Sequence, residues 1–326
     1  MSIRIYVENK AGRDPAYAIT PEIWRRAVGS ISGIEEPEFF EDTSPNLSSL
    51  ERAHVFVGSG FDPQRLQAHG KSLKLVHCTS AGVDKYLPLD WLPPETMMTN
   101  SGGIHAAKAE EYAMMALLAL SMRIPAAFEA QRKSQWKPEF TTTAAGRHVL
   151  IVGLGKVGSA VAKAARTLGM RVSAVSRHGS PSSLADDVRT FHALPELLPT
   201  VDFLVLCCPL TAETRSMINE PAIALLPRGA GLINIARGPV VDTPALITAL
   251  QSKHLSGAIV DVFDQEPLPE SSSLWNVPNL LITPHVSCDV PKGYIDMALS
   301  KLGPNLKALA RGERPVVNVV SRELGY

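Results

Sequence analysis

Residues 148–177 read HVLIVGLGKVGSAVAKAARTLGMRVSAVSR, and the fold class follows from how that stretch is punctuated. His148 to Val152 is an apolar run of strand type, and it ends in Gly153-x-Gly155-x-x-Gly158. Val157, Val161, Ala164/Ala165 and Leu168 then recur at three- and four-residue steps, the period of one helix face, until Gly169 stops the helix. Arg171 to Ser176 reads as a second strand. A glycine pattern alone is weak, and glycines that merely tighten a strand–helix turn are the alternative. Strand, glycine turn, helix and strand in this order make it a dinucleotide-binding signature. Gly153 permits the tight turn, Gly155 lets the backbone approach a pyrophosphate, and Gly158 lets the helix pack on the strand. The helix N-terminus adds N–H groups and partial positive charge, so Gly153, Gly155, Lys156, Val157 and Gly158 form the expected phosphate cradle.

The tip of the second strand selects the cofactor. A site for NAD places a carboxylate there to accept the ribose 2′-OH. This chain has Ser176-Arg177-His178, and no carboxylate until Asp186. Arg177 and Ser176 suit a 2′-phosphate, so NADP(H) is the preferred cofactor, with NAD(H) a possible one.

A length of 326 residues exceeds what one core usually serves, so two domains are expected. The formal net charge of +0 gives no reason to expect nucleic acid or an anionic membrane as a partner. The opening MSIRIYVENK lacks the apolar core of a signal peptide, and no apolar run is long enough to span a bilayer. Cys78, Cys207, Cys208 and Cys288 lack paired zinc spacing, so no metal is expected, and a reduced, cytoplasmic protein is.

Short apolar runs at Ile3–Val7, His54–Val57, Leu73–Cys78 and Met97–Thr99 read as strands, with helices at Pro21–Val28 and Pro63–Ala68. Asn100-Ser101-Gly102-Gly103 is a candidate hinge. A helix from Ala106 to about Met122 is apolar around much of its circumference, its methionines expected in packing. Trp136 stands in a polar stretch, as an interface anchor or an ordinary core side chain. Further strands are expected at Phe203–Cys208, Gly231–Ala236, Gly257–Val262 and Leu280–Thr283, with helices at Asp242–Gln251 and Asp296–Arg311. The alternation of strands and helices implies an α/β protein built on parallel sheets.

Three strand ends carry chemistry: Arg237, Glu266 and His285. In a parallel sheet the strand C-termini share one side, the side on which the nucleotide binds. A cation, a carboxylate and an imidazole there suit reduction of a ketone. His285 protonates the oxygen on which charge grows. Glu266 hydrogen-bonds the other ring nitrogen and orients the ring. Arg237 grips a substrate carboxylate and polarises the carbonyl beside it.

These segments resemble the D-isomer-specific 2-hydroxyacid dehydrogenase family nearly end to end. The matching stretches are Gly153–Gly158, Ile233–Gly238, Val260–Phe263 through Glu266-Pro267-Leu268, Thr283–Val286, the loop Thr79–Asp84 and Asn100–Glu111. The resemblance implies two Rossmann-like or flavodoxin-like parallel-sheet domains with the active site in the cleft between them. Residues 1–102 and 288–326 would form a discontinuous substrate domain, and 103–287 the dinucleotide-binding domain. It further implies that Arg237, Glu266 and His285 are catalytic and that backbone groups of Ala81, Gly82 and Val83 hold the substrate carboxylate. Asp261 would contact the nicotinamide carboxamide, with Cys208, Pro209, Ala236 and His285 beside the cofactor, and the helix after Gly103 would build a homodimer. Ser176-Arg177 resembles the NADPH-using glyoxylate/hydroxypyruvate reductases of the family, so glyoxylate and hydroxypyruvate are the leading substrates. A larger D-2-hydroxy acid is one alternative, and a nucleotide-sensing, corepressor-like binding protein is another. Val286-Ser287-Cys288-Asp289 departs from the small-residue run commoner in the family.

Overall fold

The computed structural model describes residues 2–326. They divide into two compact units, one made of residues up to Ile104 together with Val290–Tyr326, the other of His105–Asp289.

The first unit carries a parallel sheet of β1 (Ile5–Asn9), β2 (Glu38–Glu41), β3 (Val55–Gly58), β4 (Leu75–Cys78) and β5 (Met97–Asn100). Their order is β2-β1-β3-β4-β5, so the chain reverses direction between β1 and β3. β3 and β4 are buried along their whole length, as expected of strands covered on both faces. The crossover helices start on side-chain caps. Thr20 accepts from the Ile23 N–H before α1 (Pro21–Ala27), Asn46 from Ser49 before α2 (Leu47–Arg52), and Asp62 from Gln64 before α3 (Pro63–His69).

The second unit opens with α4 (Ala106–Ser121) and α5 (Ile124–Arg132). There follow β6 (His148–Val152), α6 (Lys156–Thr167), β7 (Arg171–Val175), β8 (Asp187–Arg189), α7 (Leu194–Leu197) and β9 (Phe203–Leu206). α8 (Glu220–Leu225), β10 (Ala230–Asn234), α9 (Thr243–Gln251), β11 (Leu255–Val260) and β12 (Leu280–Ile282) complete it. Its seven strands run in the order β12-β11-β10-β9-β6-β7-β8, with the reversal beside β6. The last helix, α10 (Tyr294–Ala310), belongs to the first unit and lays Ile295, Leu299, Leu302 and Leu306 on Val7, Val55 and Leu75.

The architecture is thus two parallel α/β sheets, the class expected. Several details differ. β2 (EFFE) and β8 (DVR) are strands too short and too charged to stand out by periodicity. β10 stops at Asn234, two residues before its apolar run ends, because the Asn234 side chain takes over the bonding. Its carbonyl accepts from the Ala236 N–H at 3.0 Å and its amide donates to the Arg237 carbonyl at 3.1 Å. Met115 and Met122 on the α4 segment are exposed in the single chain, while Ala113, Ala116, Leu117 and Leu120 face its core. Trp136 is 98% exposed and so is no core residue. Among the described residues no single helix is long and apolar enough to cross a membrane.

His77 lies fully buried in β4, its Nδ1 2.9 Å from Thr99 Oγ1. Burial pushes its imidazole down to about 4, and His54 is shifted the same way for the same reason. The unfolded chain therefore takes up protons that the folded one refuses. Stability is full above the unfolded value near 6.5 and is lost as pH falls toward the folded value, by up to ~3 kcal/mol for His77. Urea midpoints should fall steeply from neutral pH to mild acid, and His77→Gln should flatten that slope. An equally steep slope in the variant would show that the acid sensitivity lies elsewhere.

Candidate active site

The glycine turn after β6 lies at the reversal of the seven-stranded sheet, where parallel sheets take their ligands. Its three glycines are needed for three different reasons. Gly153 has φ +96°, and a Cβ on it would sit 2.7 Å from the Cys208 Cα. A Cβ on Gly158 would sit 1.9 Å from the Gly153 carbonyl oxygen, so helix and turn touch backbone to backbone. Gly155 is exposed, and a Cβ there would meet nothing within 4 Å. No side chain caps the helix at Gly155, and Lys156 and Val157 form its first turn. The one glycine that its own chain does not crowd is the one expected to face a pyrophosphate, so the cradle fits a dinucleotide.

At the tip of β7, Ser176 Oγ accepts from the Gly179 N–H at 3.2 Å, and Arg177 is half-buried beside it. The first carboxylate downstream, Asp186, is spent elsewhere. It accepts from the Val172 N–H at 2.9 Å, near the opposite end of the strand, and pairs with Arg166 at 2.7 Å. Those bonds hold its carboxyl below the usual range, the Val172 bond first. Ser176 and Arg177 therefore stand at the tip without a carboxylate from this segment. Cys208 and Pro209 follow β9, and Ala236 follows β10.

The fold brings His285 and Glu266 into direct contact. His285 Nδ1 lies 2.6 Å from Glu266 Oε2, and the other carboxylate oxygen accepts from the Phe263 N–H at 2.9 Å. An ionised carboxylate only accepts, so the ring proton sits on Nδ1 and Nε2 is left for another group. His285 has φ +54°, a backbone conformation uncommon outside glycine and asparagine.

The loop after β12 is held in that shape by Asp261, which is fully buried. Its Oδ1 accepts from Thr283 Oγ1 at 2.6 Å and from the Val286 N–H at 2.9 Å, and its Oδ2 accepts from the Ser287 N–H at 2.9 Å. Tyr112 Oη lies 2.7 Å from the same Thr283 hydroxyl. The Asp261 carboxylate is thus directed inward at the loop that carries His285. It exposes no surface. Tyr112 and Thr283 belong to this clasp, and no spacing pattern links them to it.

Arg237 lies beyond β10, where its Nη1 donates to the Ala236 carbonyl at 2.7 Å. The glycine after it is obligatory for space, since a Cβ on Gly238 would come within 2.0 Å of the Phe263 carbonyl carbon. Cys288 feels both Asp261 and Arg237. Burial pushes its thiol up and Asp261 acts in the same sense, against the Ser287 hydroxyl and the Arg237 charge. The backbone beside Arg237 packs on Phe263, whose N–H donates to Glu266. In the first unit, Ala81, Gly82 and Val83 follow β4, with the Ala81 carbonyl accepting from Asn100 Nδ2 at 2.9 Å.

Residues 114–287 match the family described as D-isomer specific 2-hydroxyacid dehydrogenase, NAD binding domain. The chain is 31% identical to a glyoxylate/hydroxypyruvate reductase of Arabidopsis thaliana over 318 residues, covering 94% of this chain and 95% of that one. A D-isomer specific 2-hydroxyacid dehydrogenase from Xanthobacter autotrophicus, solved with NADPH and MES, superposes with a TM-score of 0.84. It is 31% identical, over 98% of this chain and 99% of that one. An NADPH-dependent glyoxylate/hydroxypyruvate reductase from Sinorhizobium meliloti, solved with NADP and sulfate, superposes with a TM-score of 0.82. It is 26% identical, over 100% of both chains.

A methyl group at Gly155 finds open space, whereas one at Gly158 collides with backbone. Gly155→Ala should keep the wild-type melting temperature yet weaken dinucleotide binding roughly 10-fold or more, by blocking close approach. Gly158→Ala should lower the melting temperature as well. Fluorescence titration and thermal unfolding separate the two effects, and unchanged binding by Gly155→Ala would remove this turn as the cradle.

Proposed function

Since the chain belongs to the D-isomer-specific 2-hydroxyacid dehydrogenase family, we propose that it reduces small 2-keto acids to D-2-hydroxy acids with NADPH. Glyoxylate and hydroxypyruvate are its first substrates. The observation that carries this reading is the His285–Glu266 hydrogen bond of 2.6 Å, set at strand ends of the sheet that holds the glycine cradle.

When bound, the reduced nicotinamide supplies the hydride to the carbonyl carbon. The chain's own groups do the rest. Backbone N–H groups of Ala81, Gly82 and Val83 take the substrate carboxylate, and Arg237 grips it and polarises the adjacent carbonyl. His285 Nε2 delivers a proton to the oxygen as charge develops there, while Nδ1–H stays on Glu266. In the reverse direction the neutral ring withdraws that proton from the hydroxyl. Asp261, Thr283 and Tyr112 act on the imidazole through the loop they hold. Ser176 and Arg177 take the 2′-phosphate.

The molecule works as a homodimer. Met115, Leu118, Met122 and Phe128 expose apolar surface along α4 and α5, and Trp136 and Phe140 are almost wholly exposed just beyond. Such a run of large apolar side chains is typical of a surface covered by another chain.

Steady-state oxidation of NADPH and NADH with glyoxylate and hydroxypyruvate tests the reading. Turnover should favour NADPH, and Arg177→Ala should erode that preference roughly 10-fold or more, the worth of a charge-assisted hydrogen bond. A clear preference for NADH, or no turnover of either keto acid, would overturn it.

A further inference from the structure

The first unit has a ligand-type crevice of its own at the β1/β3 reversal, and it is lined by cations. In sheets of this strand order, ligands bind beyond the carboxyl ends of the strands at that point. The turn that follows β3 is Ser59-Gly60. Arg13 is anchored on it, and Lys10 and Lys85 lie close by. Arg13 donates from Nη1 to the buried Ser59 Oγ at 2.7 Å, and its guanidinium stacks on Tyr17, 4.3 Å from the ring centroid. Lys10 runs across Gly60, close enough that a Cβ there would lie 3.4 Å from the Lys10 Cδ. The Lys85 ammonium stands 5.0 Å from the Tyr86 ring centroid, and the Tyr86 hydroxyl accepts from the Gly60 N–H at 2.7 Å.

Of this set the neighbouring acids neutralise Lys10 alone. Asp42 pairs with Lys10 and also accepts from the Ala11 N–H at 2.8 Å. Glu8 is committed to Arg65 beneath the turn, and Asp14 to the Ala16 N–H. Asp84, next to Lys85 in sequence, is engaged in a contact of its own. Among the described residues neither Arg13 nor Lys85 forms an ion pair with a carboxylate. Burial holds Lys85 below the ordinary lysine value, and the Arg13 and Lys10 charges act in the same sense, against Cys78. Like charges held together around a hydroxyl raise the local potential for an anion.

From this geometry we infer that Arg13 and Lys85, beside the Ser59–Gly60 turn, form a subsite for a second acidic group on the substrate. A 2-keto acid with a carboxylate or phosphate at the far end of a short chain therefore gains a contact that glyoxylate and hydroxypyruvate lack. The inference rests on the reading of Ala81–Val83 as the holder of the substrate carboxylate. β3 and β4 are adjacent, so the turn after β3 and the loop after β4 leave the same edge of the sheet side by side.

The test compares kcat and KM for hydroxypyruvate, oxaloacetate, 2-oxoglutarate and 3-phosphohydroxypyruvate in wild type, Arg13→Gln and Lys85→Gln. At least one dianionic substrate should have a lower KM than hydroxypyruvate. Each variant should raise that KM roughly 10- to 100-fold, the effect of losing a hydrogen bond to a charged group, with kcat and the hydroxypyruvate KM little changed. Preference among the three dianions tells carboxylate from phosphate. Equal losses on every substrate, or no advantage for any dianion, would overturn the subsite. Wild type that turns over no 2-keto acid would sink the reductase reading instead. In that event calorimetric titration of malonate and of inorganic phosphate decides the subsite by itself, with binding expected in wild type and lost in both variants. No binding to wild type would overturn it.

Discussion

One hydrogen bond, from His285 Nδ1 to Glu266 at 2.6 Å, organises the chemistry of the second unit, and the chain spends considerable structure on keeping it. Glu266 is itself tethered by the Phe263 N–H. His285 sits in a left-handed backbone conformation that costs free energy unless its surroundings enforce it. The enforcement comes from Asp261, whose buried carboxylate accepts three hydrogen bonds from Thr283, Val286 and Ser287, the residues on either side of the histidine. A buried carboxylate is stable only when its oxygens are satisfied, so this clasp is rigid by necessity. The imidazole is thereby presented with one nitrogen committed and the other available, the state that general acid–base chemistry requires.

The nucleotide end of the same sheet follows a different logic, that of empty space. Gly153 and Gly158 are excluded from bearing side chains by backbone atoms of their own fold, whereas Gly155 is kept bare although nothing in the chain crowds it. At the tip of β7 the nearest downstream carboxylate, Asp186, is tied to Val172 and Arg166, away from Ser176 and Arg177. The two sheets use their reversal points alike. One is suited to an extended dinucleotide along backbone N–H groups, the other to a compact anion among side-chain cations.

Much of this was legible in the residues because it is local. The 148–177 stretch contains its own strand, turn, helix and strand, so periodicity and glycine spacing sufficed. Arg237, Glu266 and His285 could be read because each follows an apolar strand directly. What was not legible depends on groups brought together from afar. Nothing in the spacing of Asp261 shows that its oxygens are taken by residues more than twenty positions away, which only the folded loop brings to it. Tyr112 reaches the same clasp from α4. Arg13 reaches Ser59 only because β1 and β3 are neighbours in the sheet. Strand ends were misjudged where a side chain such as Asn234 replaces the ladder bonds, which an apolar pattern cannot show.

The account stands on Glu266 and His285 working as one unit, and a double-mutant cycle on kcat measures that directly. Glu266→Gln, His285→Gln and the double variant would be compared with wild type on hydroxypyruvate and NADPH. Residues that act through a single proton-transfer device are strongly non-additive, so the double variant should be no slower than His285→Gln alone. Losses that multiply, each substitution costing the same factor whether or not the other is present, would contradict the account.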